Sequence, residues 1–559
     1  MAQQQALVQG LEQAGDAARR ASPGAQVLLA GVPLFAAAAA AQAQREVHTI
    51  GAGSLLGVIL LTWCAFRSLR PRLLVTLSMA VGLAMAISTT VLVFGGLHLI
   101  TLVFGATLLG VAENYGSNYF CARMGRPQAP RLRLLAEQLP MLGLAMLTTV
   151  IAYALLAVTP FPGLRQIAVF SASGLLAAFV TVMLWFPWLD GTAAPASRFA
   201  LWLGGLRARW PRPRGRAALL LGLALALLLG AGALRLRTDD DIRSLQSAPP
   251  ALLQAQRESA RLLDLPGVAQ FFLVQGADEE QLLQREEALV DRLRDLGVGV
   301  QAVSDWLPSL QRQQQDQGLR RASAQAVLAS LSRRLDERLQ AGPPVAALLP
   351  PAAWLAAPVS EPLRHQWLGR QRDGQWASAV LLRAGSSGLP LQQLAALEQP
   401  QAGVLWVDKV GEISQLLGRY RGLIGAILLG GYALVWAALA WRFGARAWRA
   451  LAPTALASAL TLALLALAGQ PLQLFHVLPL LILLGLGVDY GIFMLEQPGR
   501  DEVAPFLSVS LAALSTLLSF GLLALSATPA LHAFGLTLLM GVPLAWWLTP
   551  VFLPSQGNS

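Results

Sequence analysis

The sequence predicts a polytopic α-helical membrane protein with about eleven spans in two parallel pseudo-repeats and an α+β extracytoplasmic domain. Three observations predict it. Of 559 residues, 55% are hydrophobic and only 13% charged, and the mean hydropathy is +0.53, too apolar for a soluble chain of this length. Apolar runs long enough to cross ~30 Å of hydrocarbon recur along the chain. Finally, a shift of 375 residues brings the two clusters of runs into register.

Taken in order, residues 1–48 read as the end of a first extracytoplasmic domain and a connecting helix, and 49–189 as the first membrane repeat of five spans, near 49–66, 73–94, 99–121, 140–158 and 165–189. A basic cytoplasmic linker follows at 190–216, then the first span of the second half at 217–234 and the α+β domain at 235–420. The second repeat, 421–553, holds spans near 421–441, 449–468, 474–495, 505–526 and 530–553, and 554–559 is a cytoplasmic tail.

The net charge of +11 reports topology. Arginines cluster in alternate loops, at Arg67, Arg70 and Arg72, at Arg123 to Arg133, at Arg207 to Arg216, and at Arg442, Arg446 and Arg449. The positive-inside rule puts those loops and the C-terminus in the cytoplasm, and the N-terminal tail and the 235–420 domain outside. Nucleic acid is excluded as a partner. The two cysteines, Cys64 and Cys121, are in or beside spans and read as packing residues, not as a disulfide.

Within the outer domain, QFFLVQG (270–276), SAVLLRA (378–384) and GVLWVDKV (403–410) read as strands. Residues 278–297 and the stretch from Leu310 read as helices, the second ending at the Pro-rich break AGPPVAALLPPAAW. QVLLAGV (26–32) matches GVLWVDKV in the repeat and is expected to be a strand as well. The second half has a span and a large outer domain before this point, so a symmetric chain would start roughly 160 residues earlier. The expectation is therefore that an N-terminal span and most of an outer domain are missing; MAQQQALVQGLEQAGDAARR shows no apolar leader.

The repeat also exposes the chemistry. Gly110 falls on Gly485, Asn114 on Asp489, Tyr115 on Tyr490 and Gly116 on Gly491, so GVAENYG is the counterpart of GLGVDYG. Beyond the next loop the offset is 367 and pairs Thr148 with Ser515, Thr149 with Thr516 and Pro162 with Pro529; these prolines are expected to shape outer helix ends. An ionisable group within a span costs ~2.5–3.5 kcal/mol to insert and faces the protein interior or water. Burial disfavours the charged form of a carboxyl, so Asp489 suits a proton carrier that loads from one side and releases to the other. Tyr115 can donate a hydrogen bond to its ionised form. Asn114 cannot titrate, but it can still hydrogen-bond Tyr490.

Glu113 stands about 100° round the helix from Asn114 and has Val488 as its repeat partner. Three roles are open to it: replacing a carboxylate at position 114, facing a watery vestibule as a second proton site, or pairing with an arginine or polar group of another helix. Asn118 and Tyr119 read as interfacial. Thr148, Thr149, Ser515 and Thr516 either support the relay or bond back to their own helices. Lys409, the single lysine, reads as a surface ion-pair partner. His48, His98, His365, His476 and His532 are scattered without metal-ligand spacing, and no phosphate-cradling loop or G-x-S-x-G appears, so no cofactor is expected and the chain does not read as an enzyme.

Two six-helix halves with an outer α+β domain after the first helix of each, and the specific match GLGVDYGIFML (485–495), resemble the resistance-nodulation-cell division superfamily, most closely its MmpL-like branch. The likeness runs from about residue 24 onward and implies a proton-driven exporter of hydrophobic, lipid-like or acyl-type molecules in the bacterial inner membrane. It further implies that Asp489, Tyr490 and Tyr115 form the proton relay and that Asn114 sits where the family usually has the first aspartate. A lipid-like molecule and protons are then the partners, with a homo-oligomer or periplasmic protein as further candidates. Asn114 also supports an alternative, a membrane scaffold or sensor that keeps the fold without transporting.

Overall fold

The computed structural model describes residues 2–126, 128–158, 162–191, 197–211, 213–263, 266–336, 347–383, 391–496 and 503–553, with the side chains of 2–5, 99–100, 102–109, 125, 162, 266, 268 and 391 outside the description. The Pro-rich break up to residue 346, the Pro162 side chain, parts of the 190–216 linker and the 554–559 tail therefore lie outside the described residues.

The chain opens with α1 (Ala2–Ala21) and α2 (Val32–Glu46), which runs through a π-turn at Val47–Gly51 into α3 (Ala52–Ala65). Then come α4 (Leu69–Phe94), α5 (Leu99–Gly125), α6 (Arg131–Ala157), α7 (Pro162–Leu189), the short α8 (Arg198–Gly205) and α9 (Arg216–Arg235). Helices α10 (Pro250–Leu262), α11 (Glu279–Asp295), α12 (Leu310–Leu335), α13 (Pro351–Ala356) and α14 (Leu391–Ala395) alternate with strands β1 (Pro266–Gly276), β2 (Val300–Gln301), β3 (Trp367–Arg370), β4 (Trp376–Arg383) and β5 (Val404–Asp408). The chain closes with α15 (Lys409–Phe443), α16 (Ala447–Leu467), α17 (Leu474–Leu495), α18 (Val503–Ser519) and α19 (Pro529–Phe552). These divide into an α/β unit, 1–35 with 248–413, and a helical unit, 36–247 with 414–559.

Among the described residues nine segments are long and apolar enough to cross a membrane. One of them, Lys409–Leu467, holds two helices, α15 and α16, and the 27-residue α5 completes the eleven that the sequence predicts. The fourth begins at Arg131, well before the expected residue 140, because Pro140 is carried inside it.

In the α/β unit the sheet order is β2-β4-β1-β5, with β3 also on β4 and every pair antiparallel. Phe272, Val274, Val380 and Val404 turn one face inward, where α11 covers it with Leu282, Leu283, Leu289, Val290 and Leu293. That spacing is the apolar stripe of an amphipathic helix. Asp278 caps α11 by accepting from Gln281 N at 2.7 Å, and its acidic first turn and basic last turn suit the helix dipole. Two expectations fail here. QVLLAGV is no strand: no described strand pairs its backbone, and Val27 and Leu29 instead pack on Gly15 of α1, in a tail that is itself helical. Lys409 makes no ion pair among the described residues; its Nζ stands 5.5 Å from the Phe271 ring centroid.

The helical unit keeps the pseudo-symmetry. Helix α4 packs on α7 as α16 does on α19, and α5 crosses to α18 as α17 crosses to α6. Helix α17 is buried without a break from Val477 to Phe493, whereas α9 buries only Gly232. At equivalent positions in the repeat, Glu46 and Arg421 each pin a chain end. The Glu46 carboxylate accepts from Ser526 Oγ at 2.7 Å, Ala527 N at 3.0 Å and Thr528 Oγ1 at 3.0 Å at the start of α19. Arg421 grips Asp240 with two bonds of 2.9 and 3.0 Å.

Two measurements check this packing. A Cβ on Gly110 would stand 2.8 Å from Ser515 O and 2.7 Å from Ser519 Cβ, whereas one on Gly143 meets open space. Gly110→Val is therefore expected to destabilise the detergent-solubilised chain by about 1–3 kcal/mol, and Gly143→Ala to be neutral or stabilising by up to about 1 kcal/mol, both read by thermal unfolding. In the α/β unit, Glu286 is fully buried, accepts from Ser304 N at 2.7 Å and from Ser378 Oγ, and burial raises its pKa above the ordinary 4.5. The folded chain keeps this proton to higher pH than the unfolded chain, so its contribution is present below about pH 4.5 and fades as pH rises through the folded value. Glu286→Gln is expected to flatten that fall in the urea midpoint.

Candidate functional site

The GLGVDYG segment shows why glycine and aspartate alternate. Gly487 and Gly491 are four residues apart on one face of α17, where added Cβ atoms would stand 2.7 Å from Thr454 Cγ2 and 2.5 Å from Ala450 O. This is a small-xxx-small contact that lets α16 approach the α17 backbone closely. Gly485 does the same for α6, where a Cβ would stand 3.2 Å from Thr149 Cα and Ala152 Cβ. Asp489 is left in the α17–α6 seam. It is 7% exposed, with Oδ1 accepting from Thr148 Oγ1 at 3.1 Å and Oδ2 from Thr149 Oγ1 at 3.2 Å. Among the described residues no cation pairs with it.

The first half repeats the geometry without the charge. Gly116 faces Val75 of α4, the counterpart of Ala450, and Gly110 faces Ser519 of α18, the counterpart of Ala152. Asn114 Oδ1 accepts from Ser515 Oγ at 3.0 Å, so the Asn114–Ser515 bond is the repeat image of Asp489–Thr148. The amide does not bond Tyr490. That phenol is buried beside Thr516 and makes no well-formed hydrogen bond among the described residues. Tyr115 packs edge-on against Phe179 of α7, centroids 5.6 Å apart, with its phenol in electrostatic range of Asp489 and Tyr153. Thr516 bonds back to Ala512 O at 2.7 Å, the helix-packing role, and Thr148 divides its hydroxyl between Asp489 and Ala145 O at 2.8 Å.

Glu113 points elsewhere. Its Oε1 accepts from Ser117 Oγ, its Oε2 is buried without a well-formed hydrogen bond among the described residues, and Thr62 and Ser515 flank the carboxyl. Asn118 and Tyr119, read as interfacial from the sequence, are both buried. Asn118 accepts from Ser508 of α18, and Tyr119 donates to Asp190 Oδ2 at 3.3 Å. Asp190 also lies 3.2 Å from Arg123 Nε, which closes α5 onto the end of α7. Sequence reasoning passed over Asp190, Ser508 and Glu46. Asp190 carried a signal, an acid at the end of a span beside basic loops; Ser508 carried none. His476 Nδ1 accepts from Gln473 N at 3.2 Å at the start of α17. Among the described residues no three His, Cys, Asp or Glu side chains are grouped to hold a metal.

Asp190→Ala is expected to destabilise the chain by about 3–5 kcal/mol, since it strips a buried arginine of its carboxylate. Asp190→Asn, which keeps an acceptor for Tyr119, should cost less, and thermal unfolding of the two variants checks the order.

With this geometry in hand, known structures can be compared. A heavy metal efflux pump superposes with a TM-score of 0.54 at 14% identity, covering 92% of this chain and 68% of its own. SecDF, a translocon-associated membrane protein from Thermus thermophilus, gives 0.48 at 14% identity over 93% of this chain and 62% of its own. No protein-family model matches the sequence. No curated protein matches it either. The helical fold expected from the paired motifs is thus shared with a heavy metal efflux pump.

Proposed function

We propose that the chain is a proton-motive-force-driven exporter of hydrophobic, lipid-like or acyl-type molecules, of the MmpL-like kind, in the bacterial cytoplasmic membrane. One observation carries the reading: a carboxylate within a membrane helix, Asp489, is solvated by two threonine hydroxyls and, among the described residues, by no cation. A group so placed is expensive and belongs to an ion pathway by default. When Asp489 is neutral, Thr148 can give its hydroxyl proton to Ala145 O; when Asp489 ionises, the same hydroxyl can turn to the carboxylate. Loading and release of a proton thereby change a bond between α17 and α6, which belong to opposite halves.

Tyr115 and Tyr490 line this place and Asn114 supplies the matching uncharged contact in the other seam. The α/β unit would lie outside the membrane and guide the cargo, with the C-terminus in the cytoplasm. A second copy or a periplasmic protein would complete the route outward.

The reading is tested by Asp489→Asn in cells with the cargo followed outside the membrane. Export is expected to fall to background with the protein still in the membrane. Undiminished export would remove the proton-carrier role. The scaffold or sensor reading, favoured by the uncharged Asn114, requires instead that no cargo moves in the unaltered chain.

A further inference from the structure

Helices α3, α5 and α18 meet along a seam separate from the one that holds Asp489. Three oxygens of these helices are buried and without a hydrogen-bond partner among the described residues, one from each helix: Ser54 Oγ, Glu113 Oε2 and Ser519 Oγ. Their residues are 0%, 1% and 0% exposed. Buried polar atoms left unpaired by protein are where ordered water or an ion is held. Ser519 stands against Gly110, one turn from Glu113, and Thr62 stands beside the carboxylate two turns further along α3 than Ser54, about 12 Å by helical rise.

We propose that Glu113 is a second proton-exchange site, served by its own water-bearing polar seam between α3, α5 and α18 and distinct from the Asp489 site. The carboxyl is not a displaced Asp489 counterpart. The place at 114 is filled by an amide bonded to Ser515, while the adjacent position turns a carboxyl toward α3. Only a proton moves: Oε2–H passes it to a seam water, and the resulting carboxylate is held by the Ser117 hydroxyl.

The surroundings hold few competing charges. Of the elements packed on α5, α18 has no titratable side chain, α3 has only exposed Cys64, and the π-turn only exposed His48. The charged groups of α4, α6 and α7 are Arg70, Arg72, Arg131, Arg133 and Arg165 in the first turns of their helices and Glu137 in the second turn of α6. Tyr153 is the phenol of α6, and Tyr115, Tyr119, Cys121 and Arg123 belong to α5 itself.

The inference deepens the transport reading, yet its readout does not depend on export. The full chain in lipid nanodiscs is followed by infrared spectroscopy while water is exchanged for D2O. Two protonated-carboxyl bands of membrane helices are expected, one lost in Asp489→Asn and the other in Glu113→Gln, with the Glu113 band shifting on exchange. Ser519→Val, which leaves both carboxyls in place and fills the seam, is expected to slow exchange of that band severalfold and leave the Asp489 band unchanged. A single band lost in Asp489→Asn would overturn the proposal, as would a Glu113 band that never exchanges. Suppression of the Glu113 band by sodium would also overturn it, in favour of a metal-cation site. None of these outcomes bears on whether Asp489 drives export.

Discussion

A carboxylate within a membrane helix finds no partner in lipid and must be solvated by other helices or by water held between them, and much of the packing in the helical unit follows from that constraint. Asp489 needs oxygens within about 3 Å, so α6 must come close enough for Thr148 and Thr149 to reach it. Gly485 makes that approach possible, and Gly487 and Gly491 seat the opposite face of α17 against α16. The glycines and the aspartate are one device. Remove the glycines and the threonines withdraw; remove the threonines and the carboxylate is stranded in hydrocarbon.

The first half uses the same scaffold for a different electrostatic purpose. Its amide satisfies the hydroxyl that the repeat supplies, so helix packing survives without a charge in that seam. The carboxyl next to it turns toward Thr62 of α3 instead and keeps one oxygen unpaired among the described residues. Pseudo-symmetry of the backbone therefore coexists with asymmetry of the chemistry, as two copies of one ancestral pattern are free to diverge side chain by side chain while their glycines are held in place by contact.

Much of this was legible in the sequence, for definite reasons. Span number follows from apolar runs, which have few alternatives at ~20 residues, and the offsets of 375 and 367 match Asn114 to Asp489 and Thr148 to Ser515, so that the contacts Ser515–Asn114 and Thr148–Asp489 are images of each other in the repeat. Three of the α/β unit's strands, β1, β4 and β5, are legible as apolar runs and α11 as an amphipathic stripe, while the short β2 and β3 carry no such signal. What failed depended on partners that periodicity does not encode. QVLLAGV has the composition of a strand but no strand to pair with, and Lys409 has an aromatic face for a neighbour. Asn118 reads as interfacial because it continues the polar character toward the cytoplasm, yet it is buried and bonded to Ser508, a residue 390 positions away.

Glu46 adds a mechanical consequence. Its carboxylate gathers the backbone N–H groups and hydroxyls of 526–528 just where α19 begins, and the π-turn starts at the very next residue. The first helix of one half and the last helix of the other are thus riveted at a single point although some 480 residues of chain separate them. A rivet of this kind converts sliding into rotation. Sliding of these two helix ends past each other would have to break the bonds to Glu46, whereas rotation about it would keep them.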